Sequence, residues 1–441
     1  MQEPAANPPW PAAKYGWIAV VVISLATTLN FLGDTVFRLM IELIKGDLKL
    51  TDLQLGMLLG PASVMFYLFV GVPLARLADV YPRKIVLALG MVITSGFTAL
   101  GGLSQSYGQL FSSRMFVGVG GSAHAPASFS MLADWFPRNR LPRAIAGMQI
   151  GFVLGMSCAG IFGGWLVTTV SHWEPTSLGP LRMFGWQWVL LLFAVPGLLT
   201  AVLFLCLREP VRRGRVAGDK GMSLREVMRQ VHARRKVYYP LFLGLALISI
   251  EVNGVQEWRM PFMTRTYGWT PMQVGAWTGS MVLFIFPLGI FLGTGLTEYL
   301  SRRYKDAALR TTVIALALSV PFSIGAPLMP TGELSIICSG FAMLFAGTAS
   351  VPQNAAIQTV TPNEMRAQLT AIHLFVITTS GALGSLLVAF ITQIVLGDES
   401  KLWLSIAITV GLLLPPAVFL VSRAVKPFGE EIERIEAEGR L

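Results

Sequence analysis

Charged side chains inside otherwise apolar stretches are the residues of this sequence best able to do chemistry. Arg114 lies in RMFVGVGGSAHAP (114–126), while Asp34 and Arg38 lie in the first apolar stretch. A charge at the centre of a membrane-spanning helix costs about 2.5–3.5 kcal/mol on insertion scales, so each one needs a function or a partner. A guanidinium carries a fork of donors that matches phosphate or carboxylate, and we expect Arg114 to bind an anionic substrate. The alternative is a buried pair with a carboxylate that only joins two helices.

Asp34, Arg38 and Glu42 are spaced four residues apart, which places them on one face of a helix. Such a stripe can be an ion ladder that satisfies itself or a wet wall of a binding cavity. We expect Asp34 and Arg38 to contact substrate. Asp34, the deepest of the three, is also the first candidate for carrying a proton.

Two further positions carry polar groups of interest. His124 is a second candidate for proton coupling because histidine titrates near physiological pH, although a packed, hydrogen-bonded histidine is the simpler interpretation. In the seventh apolar stretch, Glu251 and Asn253 are expected to contact substrate. Hydrogen bonding between helices explains them equally well.

The composition indicates a membrane protein without catalytic machinery. Hydrophobic residues make up 54% of the 441 residues and charged residues only 13%, against about a quarter in soluble domains. The net charge of +10 comes from Lys and Arg in loops, so no nucleic-acid partner is expected. The three cysteines lie in apolar stretches without disulfide or zinc spacing, and we expect no metal and no cofactor. Because HExxH, GxSxG and Walker motifs are missing from the sequence, it predicts no enzyme.

Twelve segments are apolar over about the 20 residues that cross a bilayer. They are 15–38, 53–74, 85–105, 107–133, 144–170, 185–207, 239–264, 271–297, 310–329, 332–358, 368–396 and 401–424. The sequence therefore predicts an all-α membrane protein with twelve transmembrane helices in two six-helix bundles. The expected parts are an N-terminal bundle (1–207), a cytoplasmic linker with an amphipathic helix (208–238), a C-terminal bundle (239–426) and a cytoplasmic tail (427–441).

The basic residues predict the orientation. Of the 34 Lys and Arg residues, 26 lie in the termini and in the loops on the same side as the termini, and five lie in the opposite loops. Because cytoplasmic loops carry the excess of Lys and Arg, we expect both termini in the cytoplasm and the chain in a bacterial inner membrane. Ser223 and Glu226 form a capping-box pattern that opens a basic helix, expected to touch anionic lipid headgroups. The acidic tail is expected to be a frayed helix without chemistry.

The two halves repeat weakly. GVPLARLADVYPRK (71–84) after the second segment resembles GTGLTEYLSRRYK (293–305) after the eighth, 222 residues later. Pro137 and Pro362, in the loops after the fourth and tenth segments, are 225 residues apart. Two similar offsets indicate a duplication of six helices, the arrangement of transporters whose bundles rock against each other.

These motifs resemble a known family. GVPLARLADVYPRK resembles the loop between helices 2 and 3 of the major facilitator superfamily, and Ala75–Asp79 resembles its Spinster-like branch. Residues 41–58, 257–275 and 361–377 resemble other stretches of that branch, so the resemblance runs from about residue 25 to 425. It implies a central cavity that opens alternately to each side, transport of lysolipids or sphingoid phosphates, and frequent proton coupling.

The resemblance also assigns roles to residues. Arg114 aligns with the arginine of the family's cavity. Arg76, Asp79 and Arg83 are expected to be gating residues, because such an aspartate faces a helix N-terminus in the family, here near Met365–Ala367. Two positions that serve proton coupling in the relatives differ: Gly33-Asp34 stands in place of Asp-Arg, and Gly121 stands in place of an acid.

The sequence as a whole predicts a secondary active transporter, expected to be monomeric, that moves an amphiphilic or organic anion such as a lysolipid by alternating access. Its partners are then a small amphiphilic or anionic substrate and membrane lipids. The apolar neighbours of Arg114, from Met115 to Val117, favour an amphiphile. The alternatives are a symporter of organic anions or sugar acids in the same superfamily, or a membrane receptor that does not transport.

Overall fold

The structure is a computed structural model, and it describes residues 13–62, 64, 70, 81–137, 140–179, 181–211, 224–361 and 363–437. Ten helices within these residues are long and apolar enough to cross a membrane. Residues 63, 65–69 and 71–74 of the second predicted segment lie outside the described residues. The fourth consists of two shorter helices that meet at Ala123, so neither one alone reaches the length that crosses a bilayer.

The described chain divides into two compact units. Unit 1 comprises Met1–Leu50, Ala62–Gly218 and Pro271–Gly279, and unit 2 comprises Thr51–Pro61, Asp219–Thr270 and Ser280–Leu441. Each unit thus follows one half of the sequence but includes a short segment from the other half. The composition of the sequence does not indicate which short segments belong to the other unit, so the domain boundaries expected from the sequence do not include them.

In unit 1 the described helices are α1 (Ala13–Leu39), α2 (Ile41–Leu48), α4 (Arg83–Gly102), α5 (Tyr107–Ser122), α6 (His124–Trp135), α7 (Leu141–Cys158), α8 (Gly164–Val170) and α9 (Gly185–Cys206). A π-helical turn, Ala159–Gly163, joins α7 to α8. Strands β1 (Thr176–Leu178) and β2 (Leu181–Met183) form an antiparallel hairpin in which Ser177 pairs with Arg182.

In unit 2 the helices are α3 (Asp52–Leu59), α10 (Leu224–Ala233), α11 (Arg235–Tyr267), α13 (Phe286–Ser301), α14 (Ala307–Gly325), α15 (Gly332–Thr359), α16 (Asn363–Phe390) and α17 (Leu402–Ala437). Helix α12 (Pro271–Ser280) belongs to unit 1 up to Gly279. π-Helical turns follow α12 at Met281–Ile285 and α16 at Ile391–Val395, and short 3₁₀ turns lie at Ala326–Leu328 and Glu399–Lys401.

Glycines let α1 and α7 pack closely and so position the polar residues of α1. A methyl group at Gly155 would lie 2.6 Å from the Thr28 carbonyl oxygen, and one at Gly147 would lie 2.7 Å from Val20. Gly147 and Gly155 are eight residues apart, as are Val20 and Thr28, so the small face of α7 lies against one stripe of α1. The close contact fixes the rotation of α1, and with it the face that carries Asp34.

The C-terminal tail is more ordered than the sequence suggested. Helix α17 runs without interruption through Pro427 to Ala437, and Phe428 and Ile432 are buried in the apolar core of unit 2. Glu431 forms an ion pair with Arg234 at 2.8 Å. The expectation of a frayed helix is therefore wrong, because Phe428 and Ile432, four residues apart on one helix face, pack inward.

Candidate functional site

Arg114 lies two turns into α5, whose first turn is capped by the hydroxyl of Ser106. The side chain is buried, and its Nη2 donates to Oδ1 of Asp34 on α1 at 2.7 Å. The two partners differ in exposure, since the side chain of Arg114 is 10% exposed and that of Asp34 is 43% exposed. The pair predicted as the alternative for Arg114 is thus present, and its carboxylate remains open on one side.

An aromatic ring completes the surroundings of the guanidinium. The Arg114 Cζ atom lies 4.2 Å from the ring centroid of Phe37, which is itself almost completely buried. A cation over the face of a phenyl ring gains about 0.5–2 kcal/mol, more when water is excluded. Nε of Arg114 has no hydrogen-bond partner in the described part of the chain. The guanidinium is therefore held by Phe37 and Asp34 while one of its donors remains unused.

Arg38, one turn beyond Asp34 on α1, is partly buried and belongs to the same helix face. Helix α1 ends at Leu39, and a new helix begins at Ile41, so Glu42 belongs to a separate helix. The structure pairs Asp34 with Arg114, while the predicted stripe is divided because Asp34 and Arg38 lie on α1 and Glu42 lies on α2. The role of Asp34, Arg38 and Arg114 as substrate contacts remains a prediction.

His124 begins α6 directly after the helix junction at Ala123. Its Nε2 lies 2.9 Å from the Thr27 hydroxyl, which donates its hydrogen to the Ile23 carbonyl. Since a hydroxyl has one hydrogen, Nε2 carries the proton that completes this bond. Nδ1 of His124 has no partner among the described residues. The histidine is therefore packed and singly hydrogen-bonded, as the simpler interpretation holds, and a role in proton coupling stays untested.

Glu251 and Asn253 lie on α11 in unit 2. The Asn253 amide donates to the Ser249 carbonyl of its own helix at 2.8 Å, and Ser249 donates to the Ile377 carbonyl of α16 at 2.6 Å. The Ser249 bond joins α11 to α16, whereas the Asn253 bond stays within α11. Glu251 is 6% exposed, and the charge of Arg259 on the same helix acts on it. The role of Glu251 and Asn253 as substrate contacts remains a prediction.

The predicted gating residues are only partly described. Arg76 and Asp79 lie outside the described residues. Arg83 is buried at the start of α4, where it contacts the Asp134 carboxylate, donates through Nε to Glu209 at 3.1 Å and donates to the Ser130 carbonyl at 2.9 Å. Arg83 thus joins three elements of unit 1, and its role in gating remains a prediction.

Sequence reasoning missed a buried ion pair in unit 2. Asp52 is fully buried at the start of α3, and both of its oxygens accept from Arg265 of α11 at 2.8 Å each. The capping box formed by Thr51 and Gln54 marks the start of α3 in the sequence. No local signal identifies the partner, because Arg265 is 213 residues away along the chain.

A second missed contact lies in unit 1. The indole nitrogen of Trp186 donates to the Asp47 carboxylate at 3.0 Å. Partial burial raises the pKa of Asp47 above its ordinary value, although the Trp186 bond and the charge of Arg182 act in the opposite direction. The contact ties the end of α2 to the start of α9.

The described residues contain no cluster of three or more His, Cys, Asp or Glu side chains that could hold a metal ion. Among the described residues, the site holds a guanidinium whose Nε has no hydrogen-bond partner and a carboxylate that is 43% exposed. Comparison with known proteins places the chain in a family. Residues 23–385 match the family model described as Major Facilitator Superfamily.

The chain belongs to the Major Facilitator Superfamily. The fold prediction of twelve transmembrane helices is confirmed, as is the resemblance to the Spinster-like branch. The superfamily consists of transporters and is not an enzyme class. The protein is accordingly an integral membrane protein of a transporter fold.

Three relatives from different organisms illustrate the match. An "MFS-type efflux pump" of Mycolicibacterium smegmatis is 26% identical over 387 residues, which cover 87% of this chain and 86% of the relative. "Protein spinster" of Drosophila melanogaster is 21% identical over 77% of this chain, which spans only 55% of that longer protein. A "galacturonate transporter" of Dickeya chrysanthemi is 21% identical over 74% of this chain and 95% of its own length.

Solved structures show the same fold. A bacterial homolog of the human lysosomal transporter Spinster, crystallised in an inward-facing and unoccupied conformation, superposes with a TM-score of 0.80 and 22% identity. The match covers 98% of this chain and 99% of that structure. At this identity the likeness establishes the fold alone.

Proposed function

We propose that the protein is a secondary active transporter that moves an amphiphilic or organic anion by alternating access and uses Asp34 to couple transport to protons. Membership of a transporter family and the surroundings of Arg114 support the proposal. We further propose that it works as a monomer in a bacterial inner membrane with both termini in the cytoplasm, as the distribution of Lys and Arg favours.

The observation that carries the proposal is the Arg114–Asp34 pair. A buried arginine in a membrane span is costly unless a negative group compensates it, and here the compensating carboxylate is less buried than the arginine. An incoming phosphate or carboxylate can therefore take the place of Asp34 on the guanidinium at little cost. Arg114 then remains paired in both the empty and the loaded state.

This exchange gives Asp34 a second task. When the substrate anion displaces it from Arg114, the Asp34 carboxylate loses its ion-pair partner, and we propose that it then carries the coupled proton. The proton and the anion then move together with no net charge added to the site. His124, one helix away with a free Nδ1, is the second proposed proton site.

The surroundings of Arg114 support the proposed class of substrate. The almost completely buried ring of Phe37 covers one face of the guanidinium. Apolar rings beside a cationic group suit an amphiphile with an anionic head, and a lysolipid has that chemistry. The second candidate is a small organic anion, favoured by relatives named as galacturonate and 4-hydroxybenzoate transporters. Glu251 and Asn253 of α11 are also proposed as substrate contacts.

Flux measurements test the proposal. The purified protein is reconstituted into liposomes, and uptake of lysolipids and of sugar acids is followed with and without a pH gradient. We expect anion flux that the gradient stimulates, loss of flux in Arg114→Ala, and a roughly tenfold loss of apparent affinity in Arg114→Lys, which keeps the charge but not the fork of donors. Arg303→Ala, an exposed arginine, is the matched control.

Each outcome of these flux measurements decides between two of the functions considered for the protein. Wild-type flux in Arg114→Ala would refute the assigned role of the arginine. Binding of the anion without flux in any gradient would favour the receptor over the transporter. Competition by lysolipid but not by sugar acid would favour the amphiphile, and the reverse result would favour the small anion.

A further inference from the structure

Helix α10 has two faces of opposite character. At 100° per residue, Val227 and Val231 point to one side, and both are buried. Arg225, Arg229 and His232 point to the other side, and all three are exposed. Lys236, exposed at the start of α11, continues that row at a spacing of four residues. We call Arg225, Arg229, His232 and Lys236 the basic stripe.

The inner face of α10 fixes the direction of the basic stripe. Val227 and Val231 share an apolar core with Phe428 and Ile432 of α17 and with Leu369 of α16. This packing means that α10 is already held by the protein on one side and cannot roll its apolar face into the bilayer.

Directly after α10, the chain adds a polar anchor to this packing. Nε of Arg234 lies 2.8 Å from Oε1 of Glu431, and both side chains are at most 10% exposed. Arg234 therefore faces the protein, unlike the basic residues of the stripe. The stripe faces outward as a consequence of this docking.

The basic stripe stands next to the apolar surface of a membrane-spanning helix. Nδ1 of His232 lies 3.1 Å from the hydroxyl of Tyr239, which is half exposed two turns further on. Leu243, one turn beyond Tyr239 on α11, is 54% exposed and marks the apolar outer surface of that span. A tyrosine between a charged row and an exposed apolar surface occupies the position of an interfacial residue at headgroup level.

We propose that the basic stripe binds the phosphate of an anionic phospholipid at the membrane surface. Arg225, Arg229 and Lys236 supply the positive charge, and Tyr239 and Leu243 border the acyl chains of the same lipid. Glu226, the acidic residue within Leu224–Ala233, forms an ion pair with Arg229 at 2.7 Å, and the side chain of Arg229 remains 76% exposed. The occupant follows from charge complementarity and from the position of the stripe above an apolar surface.

Hydrogen exchange in nanodiscs tests this site independently of transport. The full-length protein is placed in phosphatidylcholine discs with increasing amounts of phosphatidylglycerol, and exchange of the amides of residues 224–236 is measured. We expect phosphatidylglycerol to slow this exchange. In Arg225→Gln/Arg229→Gln/Lys236→Gln, the apparent affinity should fall on the order of a hundredfold, because three basic contacts with the surface are lost.

The matched control removes three other basic residues. Arg302→Gln/Arg303→Gln/Lys305→Gln changes the net charge equally, at exposed positions after α13, and is expected to retain the protection of 224–236. If the stripe variant exchanges faster than the wild type already in pure phosphatidylcholine, α10 has lost its docking. In that case the proposal is tested on the wild type alone. If headgroup charge causes the protection of residues 224–236, raised ionic strength must abolish it.

Three results would overturn the proposal. Equal protection of the wild type and the stripe variant in folded form would show that the stripe does not bind the lipid. Protection that persists at high salt would exclude an electrostatic headgroup contact. Equal protection by inorganic phosphate in pure phosphatidylcholine discs would indicate a site for free phosphate.

Discussion

Replacing Asp52 by Asn should lower the free energy of unfolding by about 3 kcal/mol. Asp52 is fully buried and accepts two bonds of 2.8 Å from Arg265, whose side chain is 12% exposed. Removing one partner of a buried ion pair costs about 3–5 kcal/mol, because the remaining charge is left without compensation. Since some water reaches Arg265, and Trp258 lies 5.7 Å from its guanidinium, we expect a value at the lower end of that range.

The assay is reversible unfolding of the purified protein in mixed micelles, titrated with a denaturing detergent. The double variant Asp52→Leu/Arg265→Met should recover most of the loss, since apolar residues of similar volume often replace a buried pair without penalty. Glu226→Gln is the control, because its partner Arg229 is 76% exposed and such surface pairs contribute about 0.2–1 kcal/mol. An Asp52→Asn protein as stable as the wild type, or a double variant less stable than Asp52→Asn, would refute the reasoning.

Three further predictions concern other parts of the chain. Gly121→Glu should fold normally, because a Cβ there meets no atom within 4 Å. The new carboxyl group would lie seven residues from Arg114 on the same helix face, so we expect a pH gradient to stimulate flux more strongly than in the wild type. Unchanged stimulation would contradict this expectation. Gly164→Val should destabilise unit 1 in the same unfolding assay, since even its Cβ would lie 2.7 Å from the Pro271 carbonyl oxygen. The matched control is Gly33→Ala, whose Cβ would meet no atom within 4 Å, and this variant should be neutral or stabilising. Ser400→Ala should raise the pKa of Asp398, because it removes the hydroxyl bond that, together with the backbone N–H bond of residue 400, holds this pKa below its ordinary value. The stabilisation from the hydroxyl bond is present above the ordinary pKa and is lost as the pH falls through the lowered one. The variant should therefore show a smaller loss of stability on acidification.

Much of the fold could be predicted from the sequence because its signals are local. Runs of about 20 apolar residues define spanning helices without reference to the rest of the chain, and ten of the twelve appear as long helices in the described residues. The fourth segment was predicted as one helix, although it is interrupted at Ala123. An apolar run indicates that a segment is buried in lipid, but it does not indicate that the helix is continuous. The break at Ala123 therefore could not be predicted from hydropathy.

The candidate site could be predicted only in part. A charge in an apolar run is visible in the sequence, and Arg114 and Asp34 were recognised separately for this reason. Their pairing depends on the rotation of α1 and α5, which close packing of glycine faces decides. Asn253 was recognised in the same way, but the bond from its amide nitrogen to the Ser249 carbonyl could not be predicted from the sequence.

The sequence by itself determined which segments lie in the membrane, which charges needed an explanation and which family the chain belongs to, because apolar length, charge and motif are properties of neighbouring residues. The tertiary structure alone decided which carboxylate compensates which arginine: Asp34 for Arg114, Asp52 for Arg265 and Glu431 for Arg234. The sequence offers 24 acidic residues as partners for each arginine, and charge attracts all of them alike. Only the packing of helices brings one carboxylate within hydrogen-bond distance and removes the water that would otherwise screen it.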